Sequence, residues 1–500
     1  MRLTFIIFQI FIIAPVLVLG QQEVLLENKQ PNIVFIMADD LGWADLPIYG
    51  NGFNESPNID QLAKEGMRFT NAYTAGAVCS PTRASIMTGQ YPARNGIIDF
   101  IPGHWRPNEK LIVPVNRTQY LPQEMTCIAE SLKEQGYETG YFGKWHLGFL
   151  DEQHPNQHGF DQASTANGKF YNLEFKPPKP NVASSNRFSE IITDYGLDFI
   201  NKNKDQPFFL FLSHFDVHVQ LDADIALINK YKKKEKAKGY PSNAIYAAMV
   251  EHLDISVGRI MDRLKELNID ENTLFVFYSD NGGLNKRYDK APLVANDKQN
   301  IYTNDSLLYI ASSNKPLRGE KGNLYEGGIR VPLIVKWPKN VKQGVDSDEL
   351  ITSVDFFPTF LDITGANQPE NQVLDGKSIL PELLGYSYDS RRSLFWHYPV
   401  YHHGVPASAV RKGNWKLIEF LDDHHVELYD LHADIGEKTD LSLVNTSKTK
   451  ELKSLLNHWR MDVAAPMPMP NPSFDESLRG TWGIHPHLYN MVKYKIRKPK

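Results

Sequence analysis

Short apolar runs that alternate with segments of helical spacing are the feature that most constrains the fold of this chain. The segments with helical spacing are 58–66, 123–136 and 242–267, and Ser242 is the predicted N-cap of the last. The apolar runs are rich in β-branched and aromatic residues, as buried strands are: 32–37, 137–142, 207–212, 273–278 and 331–336. This alternation predicts a mostly parallel sheet covered by helices on both faces.

Polar residues follow three of the predicted strands at the point where each strand ends. Asp39 and Asp40 follow the first strand, Ser213-His214 follow the third, and Asp280-Asn281 follow the fourth. In open sheets of this kind, functional residues collect at the carboxyl ends of the strands. We therefore expect a functional site at this edge of the sheet.

The pattern changes after about residue 385. The short runs 393–398, 415–420 and 426–429 are separated by turns, which predicts antiparallel hairpins in a smaller α+β domain. A chain of 500 residues also exceeds what one hydrophobic core usually fills. We therefore predict a larger α/β domain over 21–385 and a smaller C-terminal α+β domain over 386–500.

The first twenty residues are typical of a secretory signal peptide. Met1-Arg2 supplies a positive start, 5–19 is almost entirely apolar, and Gly20 leads into a polar stretch. A retained membrane anchor is the alternative, although the run is short for a full span of about 20 residues. The interpretation as a signal peptide over 1–20 predicts a secreted or periplasmic protein with no stable membrane span.

Charge and cysteine content exclude several classes of protein. The net charge of −5 argues against a nucleic-acid partner, which would require a basic face. A basic run at 230–238 predicts a solvated helix instead. Two cysteines, Cys79 and Cys127, cannot form a disulfide scaffold, although their number allows a single bridge.

The segment Cys79-Ser-Pro-Thr-Arg83, followed by 84–89 (ASIMTG), is the most informative motif. An isolated cysteine beside an arginine is usually a small buried hydrophobic residue. In this context, however, the segment resembles the signature of the formylglycine-dependent (type I) sulfatase family, in which the cysteine is oxidised to formylglycine. Thr82 stands where the family usually has serine, but it keeps the hydroxyl group.

The resemblance extends over nearly the whole chain, from Pro31 to about Ser442, through motifs in the family's order. It implies an alkaline-phosphatase-like fold, with a mostly parallel sheet flanked by helices and a smaller C-terminal α+β domain containing an antiparallel sheet. It also implies a secreted enzyme related to polysaccharide sulfatases and arylsulfatases. The further motifs are 31–42 (PNIVFIMADDLG), 143–148 (GKWHLG), 214–218 (HFDVH), 279–282 (SDNG), 316–322 (PLRGEKG) and 326–332 (EGGIRVP).

The polar strand ends predict a site for a hard cation. Asp39, Asp40, Asp280 and Asn281 offer only oxygen ligands, which suit Ca²⁺ or Mg²⁺ and do not suit zinc. Capping of a helix is the alternative explanation for the acid pair. Ligand types leave the two cations open, whereas the resemblance favours Ca²⁺ and adds the modified Cys79 to the ligands.

The resemblance also implies the reaction and its residues. A formylglycine gem-diol formed at Cys79 attacks sulfur, a covalent sulfo-enzyme forms, and the second hydroxyl releases sulfate. Arg83 and Lys144 would hold the diol, and His146 would take the proton of the second hydroxyl. His218 and Lys321 would face the leaving oxygen, either of them as general acid, with His214 as a weaker competitor.

The predicted substrate is a sulfated polysaccharide or its oligosaccharides. Basic and aromatic side chains near the mouth of the site would contact it: His104, Arg106, Arg287 and His397. The other implied partner is a formylglycine-generating enzyme or an anaerobic sulfatase-maturating enzyme. The alternative function is that of a phosphonate or phosphate monoester hydrolase of the same superfamily, which activity alone separates from a sulfatase.

Overall fold

The computed structural model describes residues 30–481, apart from 104–105, 115–117, 167, 178–182, 288–290, 303–305 and 387–391. The signal peptide predicted over 1–20 and the substrate-binding prediction for His104 lie outside the described residues. Within the described ranges, no helix has the length and apolar character needed to span a membrane.

An eight-stranded sheet forms the centre of the larger part of the chain. In spatial order the strands run β8-β2-β7-β6-β1-β5-β3-β4, and within this sheet only β7 runs against the others. The predicted mostly parallel sheet is thus confirmed. The strands are β1 (Asn32–Ala38), β2 (Met67–Phe69), β3 (Glu138–Gly143), β4 (Gln162–Thr165), β5 (Phe208–Ser213), β6 (Thr273–Ser279), β7 (Leu333–Lys336) and β8 (Val345–Ser347).

Both faces of the sheet are covered, as the apolar runs predict. In β1, Ile33 and Phe35 face one hydrophobic cluster, whereas Val34 and Ile36 face another on the opposite side. All seven residues of β1 are buried. A strand buried on both faces has no polar face, which explains its continuous apolar sequence.

The helices correspond to the predicted segments with shifts at their ends. The helix predicted over 123–136 begins only at Ile128, and Asn243, rather than Ser242, caps the helix predicted over 242–267, because its side chain accepts hydrogen bonds from the amides of Ile245 and Tyr246. The basic run is helical only as far as Lys233. The α-helices of at least seven residues among the described residues are Pro57–Lys64, Cys79–Thr88, Ile128–Glu134, Phe188–Asn203, Ile225–Lys233, Ala244–Glu266, Phe356–Thr364 and Thr446–Asp462.

A separate four-stranded antiparallel sheet lies in the C-terminal part of the chain. Its strands follow chain order: β9 (Ser393–Tyr398), β10 (Ala407–Lys412), β11 (Trp415–Phe420) and β12 (Val426–Asp430). The helix Thr446–Asp462 packs against β10 and β11. The predicted antiparallel sheet is confirmed, whereas β10 and this helix were not predicted from the sequence.

A buried charge cluster, which we define as Glu326, Lys416 and Glu437, joins the two parts. Lys416 Nζ on β11 lies 2.9 Å from Glu326 Oε1 and 2.9 Å from Glu437 Oε1, and none of these side chains is exposed. The backbone amide of Glu326 donates to Glu437 Oε2 at 2.7 Å. Because all three charged groups are removed from solvent, the stability of the cluster depends on each of them keeping its oppositely charged partners.

Replacing Lys416 with methionine is therefore expected to destabilise the protein by about 3–5 kcal/mol, because two carboxylates then remain buried without their shared cation. Chemical denaturation followed by circular dichroism measures this change. The matched control is Lys412→Met, which removes a surface pair with Glu451 and is expected to cost less than about 1 kcal/mol. Equal losses in the two variants would contradict the assignment.

Candidate active site

The carboxyl ends of four adjacent parallel strands deliver the polar residues of the site. Asp39 and Asp40 follow β1, Asp280 and Asn281 follow β6, Lys144 follows β3, and the segment 214–218 follows β5. These strands are neighbours in the order β6-β1-β5-β3. Residues far apart in sequence therefore meet at one edge, as predicted for this type of sheet.

The helix Cys79–Thr88 places its first residue at this edge. Cys79 is 2% exposed and, like Cys127, is a free thiol. Burial raises the pKa of the Cys79 thiol, an effect that Lys144 and Lys321 partly offset. The side chain of Thr82 points back into the turn, with its hydroxyl donating to the carbonyl of Gly76 at 3.2 Å.

Arg83 connects this helix to the strand ends. Its Nη2 donates to Asp280 Oδ2 at 2.7 Å, and its Nη1 donates to Ser213 Oγ at 2.6 Å and to the Lys144 carbonyl at 2.8 Å. Arg83 is 1% exposed. A guanidinium with this many fixed partners is held rigidly, so it orients Cys79, one helical turn earlier, against the strand ends.

Two lysines neutralise the first acid pair. Lys144 Nζ lies 2.5 Å from Asp39 Oδ2, and Lys321 Nζ lies 2.7 Å from Asp40 Oδ1. Burial alone would raise the pKa of Asp40, but Lys321 and His218 hold that pKa below its usual range. The site thus contains three buried carboxylates and three buried cations, Arg83 being the third.

Orphaned oxygen atoms show that the acid cluster fits a further cation. Asp39 Oδ1 and Asn281 Oδ1 are buried and have no hydrogen-bond partner among the described residues. Burial and the nearby Asp280 raise the pKa of Asp39 to about 7 although Lys144 and Arg83 act in the opposite direction, so these two cations compensate its charged form only in part. Oxygens of Asp39 and Asp40 and a nitrogen of His218 lie within 4.8 Å of one another, a group that could hold a metal ion. The donor set is dominated by oxygen, as a hard cation requires.

His146 faces the sulfur of Cys79 with a defined ring orientation. Its Nδ1 lies 3.2 Å from Cys79 Sγ, and its Nε2 lies 2.6 Å from the carbonyl oxygen of Ile101. A carbonyl oxygen only accepts, so Nε2 carries the proton and Nδ1 presents its lone pair to residue 79. Burial, followed by Lys144, lowers the pKa of His146 well below its ordinary value, which keeps the ring neutral.

His218 forms a donor–acceptor pair with Lys321. Its Nδ1 lies 2.6 Å from the Val219 carbonyl oxygen, so this nitrogen carries the proton. The free Nε2 then accepts from Lys321 Nζ at 3.2 Å. His214, in contrast, is fully buried with Nε2 beside Ser256 Oγ, which makes it part of the packing against a helix.

Backbone conformation is unusual at two of these positions. Asp40 has φ of 63° and His146 has φ of 58°, in the left-handed region that side chains rarely occupy. Such residues persist where the surrounding structure fixes them, and they cluster at functional sites. Gly319 and Gly322, which lie on either side of Lys321 in its loop, also have positive φ.

The predicted substrate-binding residues occupy different environments. Arg287 lines a cavity of about 970 Å³ together with His218, whereas Arg106 binds the His402 carbonyl oxygen at 2.9 Å. His397 is buried in β9, with Nδ1 beside Ser408 Oγ and Nε2 beside the Pro466 carbonyl oxygen. Neither nitrogen of His397 is available to a substrate, so its predicted contact does not fit this position.

Phe100 lies near the site but was not identified from the sequence as a site residue. Phe100 lies 6.5 Å from the ring of His146 and 5.9 Å from that of His402, between ring centroids. His402 packs directly on Gly322, where an added Cβ would lie only 1.9 Å from its Nδ1. No local motif marks Phe100, because its approach to His146 depends on packing between segments that are distant in sequence.

Comparisons with known proteins agree on one family. Residues 31–366 match the family model described as Sulfatase, and residues 319–463 match the model described as N-sulphoglucosamine sulphohydrolase, C-terminal. A sulfatase of Formosa agariphila is 32% identical over 524 residues, covering 88% of this chain and 90% of that protein. The N-acetylgalactosamine-6-sulfatase of Rattus norvegicus is 32% identical over 493 residues, covering 93% and 86%.

Solved structures show the same similarity in three dimensions. The crystal structure of Ps i-CgsB in complex with k-i-k-neocarrahexaose has a TM-score of 0.73 and 28% sequence identity. The match covers 93% of this chain and 99% of that chain. The likeness therefore includes both the eight-stranded and the four-stranded sheets.

Proposed function

Since this chain belongs to the sulfatase family, we propose that it removes sulfate from a sulfated saccharide with Cys79 as the precursor of its nucleophile. The chain is a sulfuric ester hydrolase with the alkaline-phosphatase-like fold of its relatives. The observation that carries the proposal is the position of Cys79: its Sγ lies 3.2 Å from His146 Nδ1, in a buried pocket that contains Arg83, Lys144 and Lys321.

Formylglycine and calcium would supply what the unmodified side chains lack. Formylglycine made from Cys79 would provide the oxygen nucleophile, because a thiol or a simple hydroxyl has no second oxygen for releasing sulfate. A Ca²⁺ ion held by Asp39, Asp40, Asp280, Asn281 and the modified residue 79 would neutralise charge on the sulfate oxygens. The unpaired oxygens of Asp39 and Asn281 support this ligand set.

The surrounding residues would hold charge and move protons. Arg83 and Lys144, both buried and fixed by several contacts, keep positive charge beside residue 79. His146, with its lone pair toward residue 79, accepts a proton at Nδ1 and returns it later. Lys321 and His218 share a hydrogen bond, so a proton from this pair can reach the leaving oxygen.

The leaving-group role of His218 can be tested through substrate reactivity. His218→Ala is expected to lower kcat by about 10²–10⁴ for sulfate esters of saccharide hydroxyl groups, because the leaving oxygen of such an ester needs a proton. The loss should be much smaller for 4-nitrophenyl sulfate, whose phenolate leaves without one. The control His214→Asn alters a buried packing residue, so it should affect stability without this dependence on the leaving group. An equal loss on both substrates in His218→Ala would contradict the role.

A saccharide substrate fits the cavity beside His218. This cavity has Phe170 and Tyr171 in its wall, along with Arg287 and the exposed Lys169. Aromatic rings pack on sugar faces, and Arg or Lys pairs with further sulfate or carboxylate groups. The sugar ligand in the complex of Ps i-CgsB supports the same class of substrate.

Sulfate release from a panel of defined sulfated oligosaccharides, followed by ion chromatography, tests the function directly. Phenyl phosphonate and phenyl phosphate esters test the alternative hydrolase activity on the same preparation. The Cys79→Ala protein provides the background. Turnover of the phosphorus esters without sulfate release from any saccharide would overturn the proposal.

The proposed activity requires oxidation of Cys79 by a second enzyme, and the N-terminal apolar segment suits export of the chain. The unmodified gene product would meet a formylglycine-generating enzyme or an anaerobic sulfatase-maturating enzyme, for which Cys79, Pro81 and Arg83 form the recognisable segment. The apolar segment 5–19 would direct the chain out of the cytoplasm as a secreted or periplasmic protein. Such a location would bring the enzyme to extracellular polysaccharide.

A further inference from the structure

A cavity of about 990 Å³ lies apart from the residues assigned to the reaction. Three segments form its wall: 238–240, after the helix Ile225–Lys233; 315–318, just before Lys321; and 436–438, in the turn after β12. None of the predicted catalytic, metal-ligating or substrate-binding residues lines it. The residues that matter here are Lys238, Tyr240, Lys315, Arg318, Glu437 and Lys438.

The three lysines of this cavity are its distinctive feature. Lys238, Lys315 and Lys438 are exposed, and none of their ammonium groups has an ion pair or hydrogen bond to another described residue. Neighbouring lysines behave differently: Lys230 and Lys234 both pair with Glu55 at 2.7 Å. Three ammonium groups without a carboxylate partner therefore line this one cavity.

The other charged groups of the cavity do not compensate the lysines. Glu437 belongs to the buried charge cluster, where Lys416 already holds it at 2.9 Å. Arg318 is also cationic, but it already pairs with Glu427 at 3.8 Å and donates to the Glu437 carbonyl oxygen, so it adds no unpaired charge. On a chain with net charge −5, this concentration of positive charge is local. The positive charges around this cavity repel each other, and a bound polyanion would relieve that repulsion.

We propose that this cavity is a second, non-catalytic binding site for a polysulfated saccharide. Several sulfate groups at fixed spacing along one chain match several separate ammonium groups, each of which acts as a point charge. Tyr240 offers an aromatic surface for a sugar ring in the same wall. The inference extends the proposed function, since the ligand is a polymeric form of the same substrate class, but binding at this cavity does not require turnover.

Chain geometry keeps this cavity close to the active site. Lys315 precedes Lys321 by six positions, so their Cα atoms can be at most about 22 Å apart. One polymer chain can therefore occupy the cavity while another part of it reaches the reaction centre. Holding the polymer in this way raises the local concentration of sulfate esters at the active site.

The test compares two triple variants of the full chain, both carrying Cys79→Ala so that the probe is not consumed. The cavity variant is Lys238→Gln with Lys315→Gln and Lys438→Gln. The control variant is Lys202→Gln with Lys204→Gln and Lys450→Gln, which removes three exposed lysines elsewhere and changes the net charge equally. The probes are dextran sulfate, unsulfated dextran and inorganic sulfate, and calorimetry at low ionic strength gives each Kd.

We expect the cavity variant to bind dextran sulfate about tenfold more weakly than its parent, and the control variant to bind it as the parent does. Both should unfold at the parent temperature, because the altered side chains are exposed. Equal weakening in the two variants, unchanged binding in the cavity variant, or equal affinity for unsulfated dextran would overturn the proposal. So would displacement of dextran sulfate by inorganic sulfate at the same concentration of sulfate groups.

The same substitutions in the active chain separate this inference from the proposed function. With Cys79 intact, the cavity variant should keep the parent kcat and KM on 4-nitrophenyl sulfate but show a raised KM on a sulfated polysaccharide. An inactive parent chain would contradict the proposed function while leaving the binding result valid. An unchanged KM on the polysaccharide would contradict a role for the cavity in catalysis on polymers.

Discussion

Cys79→Ala is expected to reduce kcat to background, a loss on the order of 10⁶, because the substitution removes the precursor of the nucleophile. The free energy of unfolding should change by less than about 1 kcal/mol, since alanine suits the first turn of the helix Cys79–Thr88 and removes one atom. Sulfate release and thermal unfolding, measured on the same preparation, separate the two effects. Retained turnover in this variant would contradict the nucleophile assignment.

The second cysteine provides the matched control for that result. Cys127 is also buried, and its Sγ lies 3.6 Å from the sulfur of Met87 in the hydrophobic core. Cys127→Ala should therefore lower stability but leave kcat unchanged. Peptide mass spectrometry of the wild-type protein adds a direct readout, because conversion to formylglycine lowers the mass of the peptide that contains residue 79. A thiol that remains entirely unmodified in protein from its native host would contradict the proposal.

Removing divalent cations is expected to abolish sulfate release, and Ca²⁺ is expected to restore it more effectively than Mg²⁺. Without a cation, Asp39 and Asn281 keep buried oxygens that have no described partner, and burial with Asp280 raises the pKa of Asp39 to about 7. The measurement is activity after chelation and gel filtration, followed by titration with each metal.

A readout independent of activity strengthens this test. A ligand that binds only the folded protein stabilises it by about 2.7 kcal/mol when its concentration is about 100 times Kd, so Ca²⁺ should raise the unfolding temperature. In Asp280→Asn the shift should shrink, whereas the surface variant Asp270→Asn should retain it. Full activity after exhaustive chelation, or equal stabilisation in both variants, would contradict the calcium site.

Local sequence patterns were sufficient to predict the parallel sheet and the edge of the sheet at which the site forms. The apolar runs of β1, β5 and β6 are buried on both faces, so each gives a strong and unambiguous pattern. The acids that follow β1 and β6 are marked by the same pattern. Strand β10 was missed because its sequence, ASAVRK, begins with small residues of weak strand preference.

Contacts within the site could not be read from the sequence. Lys144 and Asp39 are 105 residues apart, and Lys321 and Asp40 are 281 residues apart. Which lysine meets which acid depends on the order of strands in the sheet, and that order is a property of long-range packing. His397 illustrates the same limit, since histidine occurs both in binding loops and in cores, and only the structure shows its buried position in β9.

The buried charge cluster has a consequence for protein engineering. Glu326 lies five residues after Lys321, and the backbone amide of Glu326 is held by Glu437 from the C-terminal part. A minimal version of the protein that ends before β9 would leave Glu326 without Lys416 and would release the support of the segment bearing Lys321. Designers of chimaeras between relatives should therefore exchange 319–329 together with the four-stranded sheet, as one inherited module.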